Sequence, residues 1–180
     1  MEINDFMEFV QPYTVELKDF EQLGDTPFRL NALNGIYAPA KTGKTRFVLD
    51  QLEPIAESGK YHVIWLDGDR NIELKNFISH IRHIPIKTPS NFLRQIIEKN
   101  EHLDDYIFII DSFKNFSFGK NVDDNTQCQE IFTEYQKVLN LGATLIVIFH
   151  ATKIMDYGKV TGFKTKGNED TIESNMDFYL

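Results

Sequence analysis

The sequence predicts an α/β fold, a parallel β-sheet flanked by helices on both faces. Three observations carry that prediction. From residue 33 onward short apolar runs alternate with amphipathic stretches, the pattern of strands joined by crossover helices. Two of the runs, Tyr106–Ile110 and Thr144–Phe149, are apolar nearly throughout, as strands covered on both faces must be. A loop bearing glycine and lysine lies between the first run and the first helical stretch.

Leu33–Tyr37 reads as the first strand, and Phe47, Val48, Leu52, Ile55 and Ala56 then recur at helical spacing until Gly59. Tyr61–Leu66 is a second strand. Leu74, Phe77, Ile78 and Ile81 mark a second helix, which would carry His80 and His83 at its surface. Ile84–Ile86 is a weak third strand, limited by Pro85 to an edge. Ser90 is placed to cap a helix with Phe92, Leu93, Ile96 and Ile97 on one face. Tyr106–Ile110 is followed by a polar loop, 112–125. Ile131, Phe132, Tyr135, Val138 and Leu139 then form a helix closed by Gly142. After Thr144–Phe149 a polar, glycine-punctuated loop is expected to run to about Asn168, and Phe178–Leu180 reads as a last strand. Residues 1–32 lack the alternation and are expected to form an N-terminal extension to a 33–180 core.

Composition narrows the function classes. With 180 residues, 42% hydrophobic and 13% aromatic, the chain can bury a substantial core. Its single cysteine, Cys128, cannot form an intramolecular disulfide or a cysteine-rich zinc site. The opening residues lack the basic start and apolar run of a signal peptide, and no stretch approaches the ~20 apolar residues of a membrane span. A cytoplasmic protein without a membrane role is expected. Nineteen basic against 27 acidic side chains give a net charge of −8, so any nucleic-acid contact must be confined to a local patch.

The strongest chemical signal is Ala38-Pro39-Ala40-Lys41-Thr42-Gly43-Lys44-Thr45, with Arg46 following. A tight loop entering a helix aims backbone N–H groups inward, which is what a phosphate requires. Gly43 permits close backbone approach, Lys44 reaches the β- and γ-phosphates, and Thr45 is placed to hold Mg²⁺. Ala38 stands where the pattern usually has glycine. Asp111, ending the buried strand Tyr106–Ile110, supplies a carboxylate for the hydration shell of the same ion.

The order of A-P-A-K-T-G-K-T, V-I-W-L-D-G-D, Y-I-F-I-I-D-S and L-I-V-I-F-H-A-T-K resembles the RecA-like P-loop ATPase core. The last segment is most similar to the ring-forming replicative helicases of phages and plasmids. The resemblance spans roughly residues 33–180. It implies ATP and Mg²⁺ as ligands and a ring or filament of identical subunits. It also implies that Asp69 polarises the attacking water, in a place where the family usually has the longer Glu. By the same resemblance His150 senses the γ-phosphate, and loops 112–125 and 151–168 face single-stranded DNA. Lys114, Lys120, Lys153, Lys159, Lys164 and Lys166 lie in those loops. Without the resemblance, Asp67 and Asp69 are also compatible with solvated turn residues, His150 with an ordinary strand-end histidine, and the lysines with plain loop charges.

No arginine follows Arg94, so a C-terminal arginine finger is missing from the sequence. The expectation is therefore an Mg²⁺-dependent ATPase tied to DNA replication, recombination or remodelling. The alternatives are a regulatory ATP-binding module with little turnover and a small P-loop kinase. The kinase ranks last, because its lid would need arginines where this chain has lysines.

Overall fold

The computed structural model describes residues 20–180 except 71, 87, 88, 100, 158 and 166. Among the described residues, seven strands and four α-helices follow one another as β1 (Leu33–Ala38), α1 (Lys44–Glu57), β2 (His62–Asp67), β3 (Arg82–Pro85), α2 (Pro89–Lys99), β4 (Tyr106–Asp111), α3 (Asn125–Leu139), β5 (Thr144–Asp156), β6 (Lys159–Thr165), α4 (Glu169–Asn175) and β7 (Phe178–Tyr179). Short 3₁₀ turns lie at Ile72–Phe77 and Phe113–Phe116. The main sheet runs β3-β2-β4-β5-β1-β7 with every neighbouring pair parallel. Among the described residues no helix is long and apolar enough to cross a membrane.

The period-2 alternation of the central strands divides the core in two. Ile64, Leu66, Phe108, Ile110, Leu145, Val147 and Phe149 point to one face, where α3 supplies Ile131, Phe132 and Tyr135. Val63, Trp65, Ile107, Ile109, Ile146 and Ile148 point to the other, against Val48, Leu49 and Leu52 of α1. Leu23 and Phe28, brought together by the Gln22–Arg29 bridge, join this second cluster. Both sides of β4 and of β5 as far as Phe149 are thus removed from water, which is why those runs carry no polar alternation. Truncating a central side chain such as Ile109 to alanine is expected to lower stability by about 2–5 kcal/mol.

Four expectations are corrected by the structure. The helix expected through Leu74–Ile81 is only the 3₁₀ turn Ile72–Phe77. The Glu53 carboxylate of α1 accepts from the backbone N–H of Ser79 (2.6 Å) and His80 (2.8 Å), taking amides that a continuing helix would use. His83 consequently lies on β3 and not on a helix. Ser90 falls inside the first turn of α2, which opens with Pro89. The expected loop 151–168 is largely a β-ribbon: β5 continues past Phe149 to Asp156 and pairs antiparallel with β6, Ala151 opposite Thr165. Its apolar residues Ile154, Met155 and Val160 stand exposed, because a two-stranded ribbon standing off the sheet is wetted on both faces. Loop 112–125 is polar only in part, since Phe113 and Phe116 of its 3₁₀ turn are buried. The N-terminal residues 1–19, Gly158 and Lys166 lie outside the described residues.

Candidate functional site

The carboxyl ends of the parallel strands place every expected site residue along one edge, where open α/β sheets bind their ligands. Register fixes the arrangement: Asp67 of β2 lies beside Asp111 of β4, and Ala38, the last residue of β1, lies beside His150 of β5. Between Ala38 and Lys44 the chain makes a compact turn. Gly43, at the N-cap of α1, has φ +88°, a left-handed conformation that glycine adopts at little cost. Thr42 Oγ1 donates to the Pro39 carbonyl at 2.8 Å and secures the loop.

Lys44 turns its side chain back into this loop. Its Nζ donates to the carbonyls of Ala38 (2.7 Å) and Pro39 (2.9 Å), and only 9% of the residue is exposed. Burial lowers its pKa, with Asp111 and Asp69 opposing that shift. Arg46 reaches along α1 to Asp50, with Nε 2.7 and 2.8 Å from the two carboxylate oxygens. This exposed pair adds little stability.

Beside the loop, Thr45 and Asp111 meet. Thr45 Oγ1 donates to Asp111 Oδ2 at 3.0 Å. Asp111 is nearly inaccessible, and burial followed by the charges of Asp69 and Asp67 pushes its pKa up to about 6. A hydroxyl and a carboxylate form a hard-oxygen donor pair, and a carboxylate held above its usual range in an acidic neighbourhood calls for a cation. These residues fit Mg²⁺ that keeps most of its shell as water and phosphate oxygen. Among the described residues no group of three or more His, Cys, Asp or Glu converges into an all-protein metal cage.

Asp69 stands across the cleft, in the turn after β2, and both of its oxygens are engaged. His150 Nε2 is 3.0 Å from Oδ2, while Asn115 Nδ2 donates to Oδ1. The bond to His150 is the main reason the Asp69 pKa is lowered. His150 is not the end of its strand but a link in a longer one, at the point where parallel pairing with β1 gives way to the ribbon with β6. The resulting cleft holds 270 Å³ between the phosphate-type loop, Asp69, Leu74, Asp111 and His150. On the far side of the same loop a 360 Å³ apolar hollow shares Gly43 and Lys44 and is walled by Ile36, Tyr37, Phe47 and Leu180.

Several functional contacts escaped the sequence. Leu74 enters the cleft, and Asn115 bonds to Asp69, from segments that carry no motif. Asp67 is wholly buried and not a solvated turn residue; its Oδ2 meets His83 Nε2 at 2.9 Å. The His83 side chain, expected at the surface, is 7% exposed and lies against the Trp65 ring. A signal existed in the placement of His83 on an edge strand beside an acid-ending strand, but reading it requires the β2–β3 register. Of the lysines in the two expected loops, Lys120 is paired with Glu130, whereas Lys153 and Lys159 stand exposed on the ribbon.

No protein-family model matches the chain, and no curated protein sequence matches it. Among solved structures, the chain is similar to a KaiC-like protein from the hyperthermophilic archaeon Pyrococcus horikoshii. The two share 19% identity and superpose with a TM-score of 0.52, over 73% of this chain and 67% of that one. Strand order, the loop between β1 and α1, and this likeness together identify the architecture as a RecA-type P-loop fold.

Proposed function

We propose that the chain binds ATP with Mg²⁺ and hydrolyses it, the catalytic unit being the 33–180 core on which residues 20–32 pack. The observation that carries this is convergence: Lys44, the Thr45–Asp111 pair, Asp69 and His150 come from four separate segments and share one 270 Å³ cleft. Lys44 exchanges its two loop carbonyls for phosphate oxygens. Thr45 and Asp111 hold the cation, which when bound neutralises charge on the transferring phosphoryl group. Asp69 orients the attacking water, and His150 leaves Asp69 to meet the γ-phosphate. The apolar hollow beside Phe47 takes the base.

The coupled task is proposed to be work on single-stranded DNA in a cytoplasmic ring or filament of identical subunits. Support comes from the ribbon, where Lys153, Lys159 and a wholly exposed Tyr157 offer charges and an aromatic platform on an otherwise acidic chain. A second reading, ATP binding with little turnover, is favoured by the occupation of both Asp69 oxygens and by the shorter reach of Asp. ATP turnover with and without single-stranded DNA, run beside Lys44→Ala, separates the two. Turnover that depends on Lys44 and rises with DNA supports the motor. Tight binding without turnover supports the regulatory module, and no nucleotide binding in the parent overturns both.

A further inference from the structure

We infer that Asn115 is a positioning residue for Asp69, holding Oδ1 so that Oδ2 is the oxygen exchanged between His150 and the reacting water. This deepens the ATPase reading and rests on it for the identity of that water. Asn115 belongs to the 3₁₀ turn Phe113–Phe116, anchored on both sides by the buried rings of Phe113 and Phe116. Its backbone N–H donates to the Ser112 carbonyl at 2.9 Å, tying it to the end of β4. Its side chain therefore belongs to the rigid part of the site. His150, the other partner of Asp69, belongs to the strand that leaves the sheet as a ribbon. Of the bonds that Asn115 and His150 make to Asp69, the one to Asn115 is the fixed one.

The chain also makes room for this contact. A Cβ on Gly68 would stand 2.7 Å from Asn115 Cβ and 3.1 Å from both Cγ and Nδ2. The Gly68 backbone N–H is itself held by the Asp111 carbonyl at 2.6 Å, so the turn cannot back away without breaking that bond. Glycine at 68 is needed for close approach, and the approach serves the Asn115–Asp69 contact. An amide suits the task because it donates a hydrogen bond without carrying a charge that would compete for the cation.

The test compares Asn115→Ala and Gly68→Ala with the parent in steady-state ATP turnover and in nucleotide binding. Both variants are expected to lower kcat by roughly ten- to a hundredfold, the effect of a misplaced group at a reacting centre. KM and nucleotide affinity should stay within about twofold, since neither side chain touches the phosphate loop. Asn115→Ser, which keeps a donor, should recover part of the loss. A second readout needs no turnover: the ring-nitrogen signals of His150 in the nucleotide-free protein. Asn115→Ala should move them toward their positions in Asp69→Asn, because a released Asp69 no longer meets His150 squarely. His150 signals identical to the parent in Asn115→Ala, while Asp69→Asn shifts them, overturn the inference. So does a parent-like kcat in Asn115→Ala where the parent's turnover depends on Lys44. A parent with no such turnover contradicts the ATPase reading, and the His150 signals then decide the Asn115 contact by themselves.

Discussion

The two walls of the cleft are built differently. The wall formed by the phosphate-type loop and Asp111 is an extension of the core: Lys44 is buried, Asp111 ends a strand covered on both faces, and Thr45 lies in the first turn of a helix whose Val48 and Leu49 are inaccessible. The opposite wall, Asp69 and His150, is held by side-chain hydrogen bonds among three segments, Asn115 bonding to Asp69 from the third. The Asp69 and His150 side chains remain about a third exposed, at 31% and 36%. A wall made by packing is set before any ligand arrives. A wall made by a few polar contacts can rearrange when a ligand offers better partners, which is what a switch requires. Binding and turnover should therefore be separable by mutation.

The largest expected effect lies on the exposed wall. Asp69→Asn should lower kcat by about 10²–10⁴-fold, the range for losing a positioned general base, and leave nucleotide affinity nearly unchanged. Single-turnover measurements beside calorimetry check it. A comparable loss of affinity would erase the distinction between the walls. On the buried wall, Lys44→Ala should weaken ATP binding by about 10- to 100-fold, the equivalent of one or two charge-assisted hydrogen bonds.

A smaller effect concerns pH in the metal-free protein. Asp111 titrates near 6 when folded, above its ordinary 3.8, so between those values the folded state holds a proton that the unfolded chain has released. Ionising Asp111 thus opposes folding. Its penalty is absent below pH 4, grows as pH rises, and is complete above pH 6, amounting to no more than about 3 kcal/mol. Denaturation in chelator should show Asp111→Asn gaining stability relative to the parent at pH 7 and losing that advantage near pH 4. An advantage independent of pH would mean that burial does not perturb Asp111. The smallest change is expected from Phe47→Ala, which opens one side of the apolar hollow and should cost about three- to tenfold in affinity for ATP but little for inorganic triphosphate.

The same contrast explains what the sequence disclosed. The buried wall is local in the chain: eight consecutive residues between a strand and a helix, and an aspartate at the end of an apolar run. Contiguous motifs and strand periodicity carry their own structural context, so Lys44, Thr45 and Asp111 were readable one by one. The exposed wall is non-local. The Asn115–Asp69 contact joins residues 46 apart, and the His150–Asp69 contact joins residues 81 apart. Asp69 and His150 were reached through resemblance; Asn115 had nothing to mark it. The apolar spacing of Leu74, Ile78 and Ile81 imitated a helix because periodicity does not register that Glu53 captures two backbone amides. The ribbon was missed because its apolar residues, Ile154, Met155 and Val160, are exposed and interspersed with polar ones, and period-2 patterning reports burial rather than extension.

Separation of binding from turnover is tested most directly by one titration series. Mg²⁺ with a non-hydrolysable ATP analogue is titrated into the parent, Lys44→Ala and Asp69→Asn, with ATP turnover measured on the same preparations. The account predicts that Lys44→Ala loses most of its affinity, and that Asp69→Asn binds like the parent yet turns over at least a hundredfold more slowly. Equal loss of affinity in both variants, or parent-like turnover in Asp69→Asn, would contradict it.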